Sequence, residues 1–305
     1  MLDELRALAE SNGDKLAVVS MEQIKALQAD LAKFRSEMDA ELSGYQKWIY
    51  DEIYCFDAIP AHMKSVIVAA VPRPAYAKVI WNFNNREYRA FSGAAADTQK
   101  TIDYITAAVK AAGFDINSET RLPLKAIAVQ SGLAQYGKNN IAYVDGMGSA
   151  LTLLAFSTDA PCGNTAWREP VVSPTCTDCK ICLTLCPTNA IVEGKFLIDS
   201  HKCLTKLNQG TGDFPDWVPL AAHHTTYYCL MCQARCPMNK DPEIIEMSFS
   251  QEETARILDG RPYDDASDEL KSKIAQLTGV GKLDSVPRNL RVLFDAMDKG
   301  HVPKL

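Results

Sequence analysis

The stretch PTCTDCKICLTLCPTNA, residues 174–190, decides how this chain is read. Cys176, Cys179, Cys182 and Cys186 follow C-x2-C-x2-C-x3-C, and Pro187 stands behind the last of them. This spacing lets three thiolates wrap three corners of one iron–sulfur cubane. The longer gap and the proline carry the fourth thiolate away to a second cubane. A second partial motif must then exist, and CLMCQARCPMN supplies it with Cys229, Cys232 and Cys236. Cys203, isolated in IDSHKCL, is the eighth ligand, with Cys162 in APCGN as its competitor. By the crossing rule Cys176, Cys179, Cys182 and Cys236 hold one [4Fe-4S] cluster, and Cys186, Cys203, Cys229 and Cys232 hold the other.

Structural zinc is the plain alternative. Zinc ribbons pair two C-x2-C units across a longer loop and rarely insert a third cysteine at the same interval. Ten cysteines in 305 residues is too sparse for a disulfide scaffold, and their clustering points to metal. Cys55 reads as a core residue in an apolar helix. The net charge of −6 gives no general attraction to a phosphate backbone. No apolar run reaches the length of a membrane span and the N-terminal stretch lacks an export signal, so a cytoplasmic protein is expected.

The first 165 residues read as alternating helices and strands. Ser20 and Gln23 form a capping box for a helix over MEQIKALQADLAKF. A second helix is expected across residues 39–56. SVIVAAV (65–71) is a buried strand closed by Pro72, and TQKTIDYITAAVKAAG is an amphipathic helix stopped at Gly113. IAYV (141–144) and ALTLLAFS (150–157) are strands around the turn DGMGS. From Pro161 to Asn239 the chain turns to loops, with AIVEGKFLID as a hairpin about Glu193 and Gly194. Asp241 and Pro242 read as the start of a helical tail, continued by SQEETARILDG, SDELKSKIAQLTG and PRNLRVLFDAMDKG. Three consecutive segments follow: 1–165, 166–240 and 241–305.

Other motifs are weak. DSHKCL opens like a corrinoid-binding D-x-H-x-x-G but has Leu204 where glycine is needed, so His201 reads as a surface residue. GMGSAL lacks the last glycine of a dinucleotide fingerprint, and there is no P-loop. The pair His223–His224 reads as a solvated loop pair, with hydrogen bonding to a cluster sulfur as the alternative.

The combination resembles epoxyqueuosine reductase and, more distantly, corrinoid-dependent reductive dehalogenases. The two-part cysteine pattern with Cys203 between its parts carries the resemblance. So does SGLAQYGKNNIAYVDGMGSALTLLAFSTD (131–159), which is similar to the family's Gly-Leu-Gly, Gly-Lys-Asn and Gly-Ser block. The resemblance implies an α+β architecture: a nitroreductase-like α/β N-terminal domain, a bacterial-ferredoxin-like two-cluster domain and a short helical tail. It further implies that electrons pass from a ferredoxin- or flavodoxin-type donor through two [4Fe-4S] clusters to base-off cobalamin, which reduces a substrate. For such a chamber Lys138 is the candidate to donate a proton or stabilise a developing anion, Tyr136 is a candidate phenolic donor, and Asn139, Gly148 and Ser149 are candidates to line the corrin.

Two departures bear on that picture. The family's Asp-x-x-Pro acid is unmatched, with Thr120 three positions before Pro123 and Glu119 as a substitute. The tail is also shorter than the family's helical-repeat domain, which with the acidic charge makes epoxyqueuosine-tRNA the minor substrate reading. The competing function is electron transfer to a separate corrinoid protein partner, and a weaker one is a scaffold that has lost its cofactor.

Overall fold

Every residue of the run Ser65–Val71 is buried, because helices cover both faces of the strand it forms. The computed structural model describes residues 2–38, 40–119, 121–163, 165–279 and 284–305. Its helices are α1 (Leu2–Ser11), α2 (Met21–Met38), α3 (Gly44–Trp48), α4 (Gln99–Ala111), α5 (Leu124–Gln130), α6 (Ile181–Leu185), α7 (Leu204–Gln209), α8 (Met231–Ala234), α9 (Gln251–Leu258), α10 (Asp268–Thr278) and α11 (Val286–Asp298). Its strands are β1 (Lys15–Ser20), β2 (Ser65–Pro72), β3 (Tyr76–Phe83), β4 (Arg86–Ser92), β5 (Ile116–Ser118), β6 (Gln135–Tyr136), β7 (Ala142–Tyr143), β8 (Leu151–Thr158) and β9 (Ile244–Phe249). The fold is mixed α/β. Two compact units divide the chain, residues 1–72 with 97–178 and residues 73–96 with 179–305.

In the first unit an antiparallel sheet runs β1-β2-β8-β5. Side chains alternate across it, as the period of a strand requires. Val66, Val68 and Ala70 face one core with Ile24 and Leu27 of α2 and Ile127 of α5. Ile67 and Ala69 face the other, with Leu5 of α1 and Ile105 and Val109 of α4. The Ser20–Gln23 capping box is present in both directions, at 2.8 and 3.2 Å. Gly113 takes φ 84° where α4 stops, a conformation that glycine adopts without a steric penalty.

The helix expected over 39–56 is broken. Ser43 caps a fresh start at Gly44, a π-helical turn spans Ile49–Ile53, and the chain is extended at Tyr54. Cys55 therefore lies outside any helix, half-buried, with its N–H donated to the carbonyl of Arg121. Asp39 and Thr120 lie outside the described residues.

The second unit holds a sheet ordered β4-β3-β9. Asn84 and Asn85, both at positive φ (51° and 59°), join β3 to β4 in the manner of a type I′ hairpin. The segment after Pro242, expected to be helical, is instead β9, parallel to β3. Its pattern I-I-E-M-S-F alternates along a strand, and it ends on Phe249, stacked on Trp81 with ring centroids 4.0 Å apart. Helices α9, α10 and α11 add Ile257, Leu270, Ile274, Leu290 and Leu293 to the same core. Segment 241–305 thus completes a unit begun by residues 73–96, so the units cut across the consecutive order expected. The hairpin expected over 190–199 is a turn without strands, closed by Asp199 N–H to the carbonyl of Ala190 at 2.7 Å.

Candidate iron–sulfur centre and a polar wall in the first unit

Four thiols meet in the second unit. Cys186 ends α6, Cys203 is the residue before α7, and Cys232 lies on α8. Cys229 stands between Tyr228 and Leu230, which both take positive φ (59° and 70°). Burial pushes the Cys229 thiol well up, the Met231 N–H opposes this, and the neighbouring Cys232, Cys203 and Cys186 raise it further. A buried Cys229 whose ionisation is further disfavoured by three neighbouring cysteines suits a thiolate neutralised by iron. The Ala190 N–H also points at the Cys186 sulfur at 3.2 Å. Among the described residues no three His, Cys, Asp or Glu side chains are arranged for a single metal ion. Sulfurs around one tetrahedral zinc stand about 3.8 Å apart, closer than the thiolates at the corners of a cubane.

Cys176, 8% exposed, closes the turn Pro174–Cys176. Cys179 and Cys182 are half-buried, and Cys182 lies on α6. Cys236 follows α8 and donates its N–H to Gln233. The competitor Cys162 is packed against the core of β2 and α4, with its thiol on the carbonyl of Gly163 at 3.6 Å.

The histidine pair is buried, not solvated: His223 is 4% and His224 3% exposed. His224 faces two carbonyl oxygens, Ala222 through Nδ1 at 2.6 Å and Cys229 through Nε2 at 2.5 Å. Its Nε2 also lies 3.8 Å from the Cys229 sulfur. The ring braces the loop that presents Cys229. His223 packs edge-on against Phe214, 4.5 Å between centroids.

Burial first, then His224, Arg288 and His301, push His223 down to about 4. A ring held neutral in the fold but titrating normally when unfolded binds fewer protons in the native state between those values. Its stabilising contribution is complete above the ordinary 6.5 and is lost as pH falls toward about 4. Urea unfolding of His223→Gln should therefore depend less steeply on pH across that window than the parent does.

A second brace comes from the C-terminal helix. Asn289 of α11 donates to the carbonyls of Asn208 and Thr226, both at 2.8 Å. Asn208 in turn donates to the carbonyl of Tyr228 at 2.5 Å. Arg288 reaches the carbonyl of Leu207 at 2.7 Å. Neither asparagine stood out in the sequence, where each is one polar residue in a helix and only its burial gives it a task.

In the first unit Lys138 donates to the carbonyl of Thr177 at 3.0 Å and so ties the Gly-Lys-Asn turn to the first cysteine motif. Tyr136 is 7% exposed, and burial, then Tyr54 and Tyr50, push its phenol up. Tyr54 is itself driven to about 12, by burial first. Asn139, Gly148 and Ser149 are all buried. Asn139 spends its amide on the Tyr143 hydroxyl at 2.8 Å, while its Oδ1 accepts from Ile141 N–H. Gly148 pairs with Val144. Glu119 accepts from the Ser157 hydroxyl at 2.6 Å. The sequence reading missed Lys125, whose ammonium lies 2.9 Å from the carbonyl and 3.0 Å from the side-chain oxygen of Asn140. Its signal was available: one charge in the otherwise uncharged helix LKAIAVQ.

Comparison with known proteins points to the same segment. The 4Fe-4S double cluster binding domain matches residues 175–239. Epoxyqueuosine reductase of Staphylococcus aureus is 30% identical over 122 residues, 38% of this chain and 29% of that one. The Pseudomonas aeruginosa enzyme is 30% identical over 190 residues, 60% of this chain and 49% of its own. The chain therefore spans from under a third to about half the length of these curated relatives. A crystal structure of epoxyqueuosine reductase with an epoxyqueuosine-modified tRNA-Tyr stem loop superposes with a TM-score of 0.73, 21% identity, and coverage of 98% of this chain and 82% of that one. The Bacillus subtilis enzyme gives a TM-score of 0.69 at 20% identity, with the same coverage.

These features define a segment of the 4Fe-4S double-cluster class over residues 175–239. Over part of its length the chain is similar to the epoxyqueuosine reductases. Among the described residues no helix is long and apolar enough to cross a membrane.

Proposed function

We propose that this chain is a reductase that passes electrons through two [4Fe-4S] clusters to a modified tRNA nucleoside of the epoxyqueuosine kind. The observation that carries the reading is the gathering of Cys186, Cys203 and Cys232 about Cys229 in a chain related to epoxyqueuosine reductases. Net charge and tail length weigh against a tRNA substrate. Kinship with enzymes that act on such RNA now gives it the stronger support, and a net charge of −6 leaves room for local phosphate contacts.

In this reading Cys176, Cys179, Cys182 and Cys236 hold the cluster complementary to the buried one. The clusters supply single electrons at low potential, drawn from a ferredoxin- or flavodoxin-type donor. The chain's own residues do the rest. His224, Asn208 and Asn289 hold the Cys229 loop rigid. Lys138 fixes the turn beside the first motif.

The family resemblance also carries a nitroreductase-like chamber with base-off cobalamin. Asn139, Gly148 and Ser149 do not fit the corrin-lining task expected of them. They are buried, and the amide of Asn139 is consumed inside its own turn.

The test is anaerobic reconstitution, reduction by a low-potential donor, and addition of an epoxyqueuosine-bearing anticodon stem loop, with and without cobalamin. Mass spectrometry of the nucleosides should show a product lighter by one oxygen, and iron should reach about eight atoms per chain. Iron near zero with tightly held zinc would overturn the reading. So would a fully loaded protein that leaves the stem loop unchanged under both conditions.

A further inference from the structure

We infer that the free edge of β1 is a docking site for an extended peptide whose C-terminal carboxylate seats at Arg6 and Lys15. The inference concerns the first unit alone and goes beyond the reductase reading. A cleft of about 430 Å³ opens there, and three consecutive residues of β1, Leu16, Ala17 and Val18, line it. Neighbouring side chains of a strand point to opposite faces of the sheet, so a cleft lined by three in a row meets the strand along its edge. β1 stands at the end of its sheet, and among the described residues it pairs with β2 alone.

The register identifies the backbone groups on that edge. Met21 donates its N–H to the carbonyl of Lys64 at 3.0 Å, one step beyond the pair Ser20–Ser65. Bonded and non-bonded pairs alternate along an antiparallel ladder. Val19, Ala17 and Lys15 therefore turn their backbone groups to β2, while Ser20, Val18 and Leu16 turn theirs outward. Ser20 gives its N–H to Gln23 in the cap of α2. The N–H and C=O of Val18 and Leu16 have no hydrogen-bond partner among the described residues. Val18 is 3% exposed, and a buried backbone polar group is nearly always paired. A strand added about 4.8 Å from β1 would bond all four groups.

Walls and charge select the occupant. Ser131 and Thr165 spend their hydroxyls on the carbonyl of Ala128 and on Gln23. Gln23 also holds the carbonyl of Thr165 at 3.2 Å, and Arg168 holds that of Gly132 at 3.1 Å, so the sides of the cleft are pinned before a ligand arrives. The cations of the lining are Arg6 and Lys15, against one carboxylate, the exposed Asp145. The Lys15 ammonium uses one of its three donors on the carbonyl of Asp145 at 2.6 Å. Arg6 shares Nη1 with Asp3, whose side chain is 97% exposed. β1 runs from Lys15 to Ser20, so a strand added antiparallel to it has its C-terminus beside Lys15. A carboxylate there meets both cations. An inorganic anion would use the cations and the two N–H groups but leave both carbonyls unpaired.

The experiment uses the full reconstituted chain and a library of N-acetylated pentapeptides with free C-termini, sorted by affinity selection. Retained peptides should bind the parent about 10-fold or more weakly once their C-termini are amidated, and lose a similar factor on Arg6→Gln and on Lys15→Gln. In the complex, amide exchange read by mass spectrometry should slow at Leu16 and Val18, while Ala17 and Val19, already bonded to β2, keep their rates. A library from which nothing is retained overturns the inference. So do amidated peptides that bind the parent equally well, and protection that leaves Leu16 and Val18 unchanged. Slowing of those two amides by inorganic phosphate or by the anticodon stem loop, with no peptide present, overturns it in favour of an anion site.

Discussion

A chain ending at Lys240 should fail to fold its second unit and should bind little iron. The segment removed supplies ten of the fifteen buried residues of that unit's main core, from Phe249 to Phe294. At roughly 1.5–3 kcal/mol for each large apolar side chain buried, the loss is on the order of 20 kcal/mol. That exceeds the whole stability of an ordinary domain, about 5–15 kcal/mol. Trp81, now 1% exposed, would lose its stacking partner, and β3 would lose β9. The damage extends to the metal centre, because Asn289 and Arg288 leave with α11. The carbonyls of Asn208, Thr226 and Leu207 then lose the donors that brace α7 and the Cys229 loop. Gel filtration and iron analysis after reconstitution would read both effects. A soluble truncated chain with a full complement of iron would show that 241–305 is a dispensable tail and that the core count misjudges it. The single change Trp81→Ala is the milder form, expected to cost about 3–5 kcal/mol.

The sequence made the first unit legible because its signals are local. Two bonds within four residues cap α2, an unbroken apolar run marks β2, and one glycine stops α4. The second unit was harder, because its defining contact joins β3 to a strand more than 160 residues later. Read alone, Asp241–Pro242 suits a helix start. Pairing with β3 and the burial of Phe249 outweigh that local preference. The same division holds at the site. Seven cysteines were visible from spacing, and Cys203 as the residue that completes two sets of four, with Cys162 as its competitor. The burial of His223 and His224 and the braces from Asn208 and Asn289 are tertiary facts. Two adjacent histidines in a loop carry no mark of what will cover them.

Alanine at Cys203 and at Cys186 should remove one and the same cluster, and this pair of variants tests the crossing. An uncrossed arrangement would give Cys176, Cys179, Cys182 and Cys186 to one cubane, so Cys186→Ala would then act like Cys179→Ala. The structure instead sets Cys186 and Cys203 among the neighbours of Cys229, together with Cys232. Iron should fall from about eight to about four atoms per chain in both variants. The cluster that survives in each should have the same electron paramagnetic resonance spectrum, distinct from the one that survives in Cys179→Ala or Cys236→Ala. Cys162→Ala should keep all its iron, because that thiol is packed against the apolar core of β2 and α4. Alanine is the better probe than serine, whose oxygen can replace a thiolate and hide the loss. The remaining three thiols of a vacated site would reprotonate, as burial already favours at Cys229. A Cys186→Ala spectrum matching that of Cys179→Ala would refute the crossing while leaving two clusters. A Cys162→Ala variant that loses half its iron would refute Cys203 as the eighth ligand.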